Sequence, residues 1–218
     1  MATRLTGVVI QASDVKSLSE FWAAVLGEPA TAAAHGVVLE FVQADGPKPA
    51  GVKNRVHLDL QGGPEQIERL LALGAVHADI GQGDVPWAVL ADPEGNEFCL
   101  QPLPEPGIRW SAICQDAADT QVQSAFWTAA SGWPQAEEGS WGVALKAQQA
   151  AESADRDSLR LVMGPPQAPK DDPARIYLRL SPQPHTDAAV EASRLVHEGA
   201  KRSGELLVDP EGNEFRVA

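Results

Sequence analysis

A histidine and an aspartate two residues apart are the pair whose types and spacing best fit acid-base chemistry. His57 and Asp59 lie in RVHLDL, where apolar and polar residues alternate, so both project from one face of a predicted strand. Because histidine titrates near neutral pH, His57 could act as a general base oriented by Asp59. Side chains at this spacing project in parallel and seldom meet in ideal hydrogen-bond geometry. The alternative, which the usual behaviour of histidine favours, is that His57 bonds to a neighbouring strand or loop.

The same alternation predicts a polar face on neighbouring strands. In EFCLQ, three polar or sulfur-bearing residues share one face, and the first of them, Glu97, is a second candidate acid-base partner for His57. If the polar faces line a cavity, the first half of the chain offers four ligand-binding residues: Gln11, Trp87, Cys99 and Gln101. The sequence therefore predicts a polar site that contains one titratable pair.

The corresponding face of the second half carries five polar side chains: Asp116, Tyr177, Arg179, Glu214 and Arg216. The two arginines could clamp a carboxylate or phosphate in bidentate fashion. They could instead pair with Asp116 and Glu214, and we favour this internal pairing because buried charges are rarely left unmatched. Tyr177, Arg179 and Arg216 stay candidates for ligand binding.

The six tryptophans are candidates for stacking on a planar ligand. Trp22 and Trp127 belong to a repeated helix motif and are expected in the core. Of the others, Trp87 and Trp141 are the two that we expect to line a pocket, since they fall on a predicted strand or loop.

Three motifs occur twice in the same order, which indicates an internal duplication. DPEGNEF spans Asp92 to Phe98 and Asp209 to Phe215, FWAAVLG recurs as FWTAASG, and RVHLDL recurs as RIYLRL. The proline-rich QPLPEPG separates the copies, so we predict domains at residues 1–103 and 104–218. DPEGN itself is typical of a tight turn with no chemistry of its own.

Hydrophobic periodicity switches between 2 and 3.6 within each copy, which is typical of an α+β fold. The first copy predicts helices at Val15 to Leu26, capped by Ser13 or Asp14, and at Glu65 to Leu73. It also predicts six strands: Thr6 to Gln11, Val37 to Gln43, Arg55 to Leu60, Val76 to Ile80, Trp87 to Ala91 and Glu97 to Gln101. In the second copy we expect one hairpin to be trimmed, because KRSGELLV is short, and a mobile surface loop within residues 134–173.

Composition narrows the classes of partner. The 218 residues are 44% hydrophobic and carry a net charge of -13, without a cluster of Lys and Arg, which argues against a nucleic-acid partner. We find no apolar run long enough for a membrane span and no secretion signal, and predict a cytoplasmic protein. The two cysteines, Cys99 and Cys114, lie in different copies and are not expected to form a disulfide.

The order of FWAAVLG, HLDL and DPEGNEF resembles the glyoxalase, bleomycin-resistance and extradiol-dioxygenase superfamily, also called vicinal oxygen chelate proteins, and in particular its glyoxalase-like actinobacterial branch. The resemblance covers nearly the whole chain. It implies tandem glyoxalase-like domains, each of two βαβββ modules with curved mixed sheets around a cavity. It also implies a divalent metal in the members that catalyse reactions.

At most of the positions where the family has metal ligands, this chain has residues that do not bind a metal. The resemblance places the four ligand positions of the first copy at Gly7, Glu40, His57 and Cys99, and those that can be aligned in the second copy at Ala112, Tyr177 and Arg216. Only Glu40, His57 and Cys99 could hold a metal, and this mixture of hard and soft donors is not typical of the family. We therefore expect no metal and no cofactor.

Three functions follow from these expectations. The first is metal-independent binding of a small organic molecule, of the resistance or sequestration type. The second is an isomerase or lyase that uses His57 with Asp59 or Glu97 as acid and base. The third, a metal-dependent lyase or dioxygenase, requires Glu40, His57 and Cys99 to converge. We expect a monomer or a homodimer with a small-molecule ligand.

Overall fold

The computed structural model describes residues 3–27, 35–104, 106–147, 158–165 and 173–218. Their elements form four consecutive modules, each of which starts with a strand and a helix. The first module has β1 (Thr3–Ala12), α1 (Val15–Leu26) and β2 (Val38–Gln43); the second has β3 (Val56–Gly62), α2 (Glu65–Ala72), β4 (Val76–His77), β5 (Ala88–Ala91) and β6 (Glu97–Pro102). The third has β7 (Ile108–Asp116), α3 (Thr120–Ser131), β8 (Gln135–Gly139), β9 (Gly142–Lys146) and β10 (Arg160–Gly164); the fourth has β11 (Ile176–Pro182), α4 (Ala188–His197), β12 (Lys201–Ser203), β13 (Leu206–Val208) and β14 (Glu214–Val217).

Most predicted elements are confirmed within one or two residues. Helix α1 has the predicted bounds, and Asp14 caps it by accepting a hydrogen bond from the Ser17 amide at 3.0 Å. The strand expected to reach Ile80 ends at His77. The hairpin expected to be trimmed is present as β12 and β13, with short strands. The expectation of a mobile loop within residues 134–173 is wrong where β8, β9 and β10 form, and residues 148–157 and 166–172 of that segment lie outside the described residues.

Two curved sheets carry the modules. Within each module the first strand is parallel to the last, as in β3 with β6 and β7 with β10. Between modules the first strands pair antiparallel, β1 with β11 and β3 with β7. The result is a six-stranded sheet, β12-β13-β14-β11-β1-β2, and an eight-stranded sheet, β4-β5-β6-β3-β7-β10-β9-β8.

Each sheet therefore combines one module from each half of the sequence. The six-stranded sheet joins the first and fourth modules, and the eight-stranded sheet joins the second and third. The expectation that the polar face of the first half surrounds one cavity is wrong for this reason, since Gln11 and His57 lie on different sheets. The boundary at residues 103 and 104 stays a prediction; the chain there passes from β6 to β7 within the eight-stranded sheet.

The repeated heptapeptide connects the two modules of each half. The Trp22 indole Nε1 donates to Asp92 Oδ2 at 3.2 Å, and both side chains are about 1% exposed. Asp92 also accepts from the Asn96 side chain and from the amides of Glu94 and Asn96. Burial outweighs these hydrogen bonds and raises the pKa of Asp92.

The remaining residues of the heptapeptide also have structural partners. Glu94 accepts from the amides of Ser13 and Asp14 at 2.8 and 2.7 Å, just before α1. Phe98 packs edge-to-face on Trp22, with ring centroids 5.2 Å apart. DPEGNEF is thus a structural clamp between the first helix of a half and its last strand, in agreement with the prediction that it is a turn without chemistry.

The second half repeats this clamp. Trp127 Nε1 donates to Asp209 Oδ2 at 3.1 Å, and Phe215 packs on the Trp127 ring at 5.4 Å. Glu211 accepts from the amides of Ala118 and Asp119 just before α3. Trp22 and Trp127 are both fully buried, which confirms their predicted place in the core.

Two arginines tie the halves together at these turns. Arg55 Nη1 donates to the Glu211 carbonyl at 3.0 Å, and Arg175 pairs with the Glu94 carboxylate at 3.4 Å. Arg55 and Arg175 occupy the same position in RVHLDL and RIYLRL. Each copy of the motif therefore contacts the clamp of the other half.

A double-mutant cycle tests the clamp. We expect Trp22→Phe and Asp92→Asn to be coupled by about 1 kcal/mol or more, because the Asn amide leaves the buried Trp22 N–H without an acceptor. Urea denaturation of both single variants and the double variant measures this energy. The matched control combines Trp127→Phe with Asp92→Asn, which should be additive within about 0.5 kcal/mol. Additivity in both cycles would contradict the proposed link.

Candidate functional site

A cavity of about 420 Å³ lies on the eight-stranded sheet and collects most of the residues predicted for a site. Six of its lining residues were predicted from sequence: His57, Asp59, Trp87, Cys99, Gln101 and Trp141. Others come from the loop before β3, from the β4–β5 connection and from the third module: Lys53, Ile80, Gln82, Cys114, Gln115, Asp116 and Val162. The cavity is therefore built from both halves of the sequence.

Strand β3 supplies the floor of the cavity because its side chains alternate. Val56, Leu58 and Leu60 are at most 2% exposed and pack in the core, which directs His57 and Asp59 to the opposite face. The strand register places Cys99 of β6 beside Asp59 and Cys114 of β7 beside His57. The floor thus consists of one histidine, one carboxylate and two thiols on three adjacent strands.

His57 and Asp59 contact each other despite their unfavourable spacing. His57 Nε2 lies 3.5 Å from Asp59 Oδ1, and Gln101 Nε2 donates to Asp59 Oδ2 at 3.2 Å. His57 Nδ1 is buried and has no hydrogen-bond partner among the described residues. The pair has the arrangement of a base and its orienting carboxylate.

Asp59 is the charged centre of the floor. Burial acts to raise the pKa of Asp59, but the hydrogen bond and charge of His57, with hydrogen bonds from Gln101 and Cys114, together lower it below the usual 3.8. The site therefore holds a carboxylate at neutral pH. This charge favours a ligand that presents a hydrogen-bond donor to the floor.

The two thiols remain protonated beside this carboxylate. Burial is the main cause that raises the pKa of Cys99 and of Cys114, and the negative charge of Asp59 adds to it. Both cysteines are free, which agrees with the expectation of no disulfide. They act as donors to Asp59 and are poor nucleophiles in this state.

Two residues predicted for the site lie elsewhere. Glu97 shares a strand face with Cys99, but Lys48 Nζ binds its carboxylate at 2.7 Å and the Asn54 amide binds it at 3.2 Å. It lines a separate cavity, so its predicted role beside His57 is wrong. Gln11 is on the six-stranded sheet, where its side chain donates to the Ala174 carbonyl at 2.8 Å.

The metal ligands considered from the sequence do not come together. Glu40 lies on β2 of the six-stranded sheet and pairs with Arg216 and Arg179, far from His57 and Cys99 in the sheet order. The structure instead brings one donor atom each of His57, Asp59 and Cys114 within 4.8 Å of one another. That set of three reaches the number of ligands usual in catalytic sites.

As arranged, these donors fit a metal poorly. Cys114 would bind an ion only as a thiolate, and Asp59 would have to give up its hydrogen bond from Gln101 Nε2. The combination also differs from the hard ligands that the resemblance leads one to expect. The three donors that come together are therefore not the set that the resemblance implies.

The predicted residues of the second half cluster on the six-stranded sheet. Arg179 Nε lies 3.4 Å from Glu40 Oε2, and Arg216 Nη2 donates to Glu40 Oε1. Internal pairing of the arginines was expected, and Glu40 is the partner that both of them contact. Asp116, one of the two predicted partners, instead pairs with Lys53 at 2.7 Å at the cavity rim. Tyr177 is buried in the neighbouring position of β11.

Comparison with known families agrees with this architecture. A family model described as "Glyoxalase-like domain" matches residues 7–101 and again residues 112–218. The chain therefore belongs to the glyoxalase-like domain family, as two tandem copies. No curated protein matches the sequence.

Solved structures show the same fold at low sequence identity. Glyoxalase I from Zea mays has a TM-score of 0.57 at 13% identity, over 99% of this chain and 92% of that chain. A putative dioxygenase from Bacillus subtilis subsp. subtilis str. 168 has a TM-score of 0.55 at 10% identity, over 99% and 84%. A glyoxalase/bleomycin resistance protein from Albidiferax ferrireducens T118 aligns with 45% of this chain and 98% of its own, at 21% identity and a TM-score of 0.33. The resemblance inferred from the motifs is confirmed for family and fold.

Helices of membrane-spanning length and hydropathy do not occur among the described residues. A cytoplasmic location and a monomeric or homodimeric state stay predictions.

The hydrogen bonds of Asp59 predict a pH-dependent contribution to stability. A carboxylate with a lowered pKa in the folded state stabilises the protein above the unfolded value near 3.8, and this contribution is lost as the pH falls through the folded pKa. We therefore expect the stability advantage of wild type over Asp59→Asn at about pH 5 to shrink as the pH falls below about 4. Urea denaturation between pH 3 and 7 measures it. The exposed Asp84→Asn variant is the control, and an advantage that grows with acid would refute the assignment.

Proposed function

We propose that this protein binds a small, mainly apolar organic molecule, without a metal, in the cavity of the eight-stranded sheet. The observation that carries this proposal is the meeting of a polar floor, centred on Asp59, with aromatic and aliphatic walls in one cavity of about 420 Å³. Ligand pockets for small molecules usually measure about 300–1,000 Å³ and combine apolar walls with a few polar groups.

The walls support a ligand with a flat apolar part. Trp87 and Trp141 both line the cavity, and Ile80 and Val162 contribute aliphatic surface. Trp141 is 46% exposed, in the turn between β8 and β9. A large indole exposed at a cavity is unusual for a residue whose role is packing, and it supports contact with a ligand.

The floor and rim support a ligand with at least one polar group. Asp59 is an acceptor at neutral pH, and the His57 and Asp59 side chains are 18% and 15% exposed at the cavity. At the rim, Lys53 and Asp116 pair at 2.7 Å, so that their charges largely offset each other. A neutral or cationic hydrogen-bond donor therefore suits the floor better than an anion.

Tryptophan substitutions test the binding proposal. A small-compound screen by thermal shift should find ligands whose stabilisation persists in EDTA, since ligand bound only to the native state raises Tm. For such a ligand we expect Trp87→Ala and Trp141→Ala each to weaken Kd by about tenfold, through lost apolar contact. Trp133→Phe, in a separate cavity near Thr3, should leave Kd unchanged.

Two results would count against this proposal. Stabilisation that requires an added divalent metal, together with stoichiometric metal by elemental analysis, would favour a metal-dependent activity. An organic ligand whose Kd responds to Trp133→Phe but to neither Trp87→Ala nor Trp141→Ala would place the site elsewhere.

The contact between His57 and Asp59 favours a second candidate, an isomerase or lyase that moves a proton without a metal. Asp59 orients the imidazole from 3.5 Å, and His57 would take a proton from a substrate carbon or hydroxyl and return it to a neighbouring atom. Glu97 is not available for this chemistry because Lys48 and Asn54 hold it outside the cavity.

Variants of His57 separate catalysis from binding. If the protein turns over a ligand found in the screen, we expect His57→Ala to lower kcat by a factor of about 100 or more with a small change in Kd. Asp59→Asn should also lower kcat, because the Asn side chain lacks the orienting charge and holds the imidazole in the wrong tautomer. Product formation by NMR in EDTA gives kcat. Turnover by His57→Ala at the wild-type rate would exclude this mechanism and leave the binding proposal intact.

A further inference from the structure

The six-stranded sheet carries two arginines that have more N–H donors than the described residues around them have hydrogen-bond acceptors. Arg179 on β11 and Arg216 on β14 are direct neighbours in the strand register. Both reach the carboxylate of Glu40 on β2, across β1. Gly7 makes this possible, since a Cβ atom there would lie 2.9 Å from Arg179 Nε. The absent side chain leaves room for the guanidinium over the sheet.

The hydrogen bonds of this cluster are incomplete. Two guanidinium groups offer about ten N–H donors, and in the described residues they meet the Glu40 carboxylate and, at 3.4 Å, the Thr6 carbonyl. The Nε atoms of both arginines are buried without a hydrogen-bond partner in the same residues. Buried donors in native proteins are normally bonded to protein or ordered water, so a partner that is usual at such positions is missing from the described part of the chain.

The charges of the cluster are also unequal. Two cations, Arg179 and Arg216, share the Glu40 carboxylate in a protein whose overall charge is -13. Tyr177 adds a hydroxyl group nearby; burial raises its pKa, so it remains a donor at neutral pH. The side chains of Arg179, Arg216 and Glu40 are 24%, 27% and 31% exposed, which makes them accessible to a small molecule.

We propose that Arg179 and Arg216 form a second binding site that takes the carboxylate group of a small molecule, with the Tyr177 hydroxyl as a further donor. The position of Glu40 supports the choice of carboxylate, because one such group already contacts both guanidinium groups. Planar guanidinium groups bind carboxylates in bidentate fashion. Glu40 acts as the internal counter-ion, which a ligand carboxylate joins or displaces.

This site would differ in charge preference from the cavity of the eight-stranded sheet. RIYLRL places Tyr177 and Arg179 where RVHLDL places His57 and Asp59. One copy of the motif thus centres a site on a carboxylate, and the other centres it on a guanidinium. The two sites would bind different chemical groups, so this inference does not depend on the function proposed for the cavity.

Arginine Nε–H signals in ¹H–¹⁵N NMR spectra give a direct test with acetate as the probe. Signals absent from the spectra of Arg179→Lys and Arg216→Lys identify the two residues in wild type. We expect both signals to shift saturably with acetate in a low-chloride buffer at constant ionic strength. In each Lys variant, acetate affinity should fall about tenfold, because lysine lacks the planar pair of donors.

Glu40→Gln tests whether the Glu40 carboxylate competes with the bound acetate. Removal of the internal carboxylate should tighten acetate binding by about tenfold, since it removes a like charge a few ångströms from the ligand. Arg160→Lys, at a surface ion pair on the other sheet, and His57→Ala should both leave the acetate titration unchanged. Circular dichroism checks that each variant is folded.

Several outcomes would overturn the proposal. Unsaturable shifts in both wild type and folded Glu40→Gln would show that the ion pair is structural only. Weaker binding in folded Glu40→Gln would mean that Glu40 does not compete with the ligand. Saturable binding of inorganic phosphate with no response to acetate would reject the carboxylate class.

Discussion

The buried hydrogen bond from a helix tryptophan to a turn aspartate is the contact on which both halves of this protein depend. Burial of an aspartate side chain costs free energy unless hydrogen-bond donors surround it. Asp92 and Asp209 each accept hydrogen bonds from one indole N–H, one asparagine side-chain amide and the backbone amides of the turn. Because the donors come from two modules, the need to satisfy one carboxylate sets the position of a helix relative to a strand. In the first half that strand is β6, which carries Cys99 and Gln101 to the cavity.

Strand pairing between the halves has a different consequence, because it determines which residues lie together at the floor of the cavity. β3 pairs with β7 rather than with β1, so the floor of the cavity draws Asp59 from one copy and Cys114 from the other. Arg55 and Arg175 strengthen this arrangement because each crosses to the turn of the opposite copy. A duplicated chain assembled in this way has two sheets with unlike polar faces, and each copy contributes strands to both of them.

The sequence allowed prediction of what lies within one module and failed for what lies between modules. Helix α1, the repeats and the shared face of His57, Asp59, Cys99 and Gln101 follow from local periodicity. Gln11 and Glu40 were grouped with the wrong partners because sheet pairing across the halves has no signal in a single sequence. Cys114 was overlooked as a cavity residue for the same reason. Glu97 had the right strand face, but the lysine that binds it comes from a loop whose path periodicity does not describe.

The contrast between the two sheets shows why the family alone does not assign the function. At corresponding positions of the repeat, Asp59 is held as a carboxylate by a histidine, an amide and thiols, whereas Arg179 lies over a glycine and shares Glu40 with Arg216. The scaffold is unchanged, since the strands at both places have the same order and direction. Charge is what differs, and buried or half-buried charge determines which polar groups of a ligand can be desolvated there. Function in this protein therefore has to be assigned sheet by sheet, from the donors and acceptors that each one leaves without a partner.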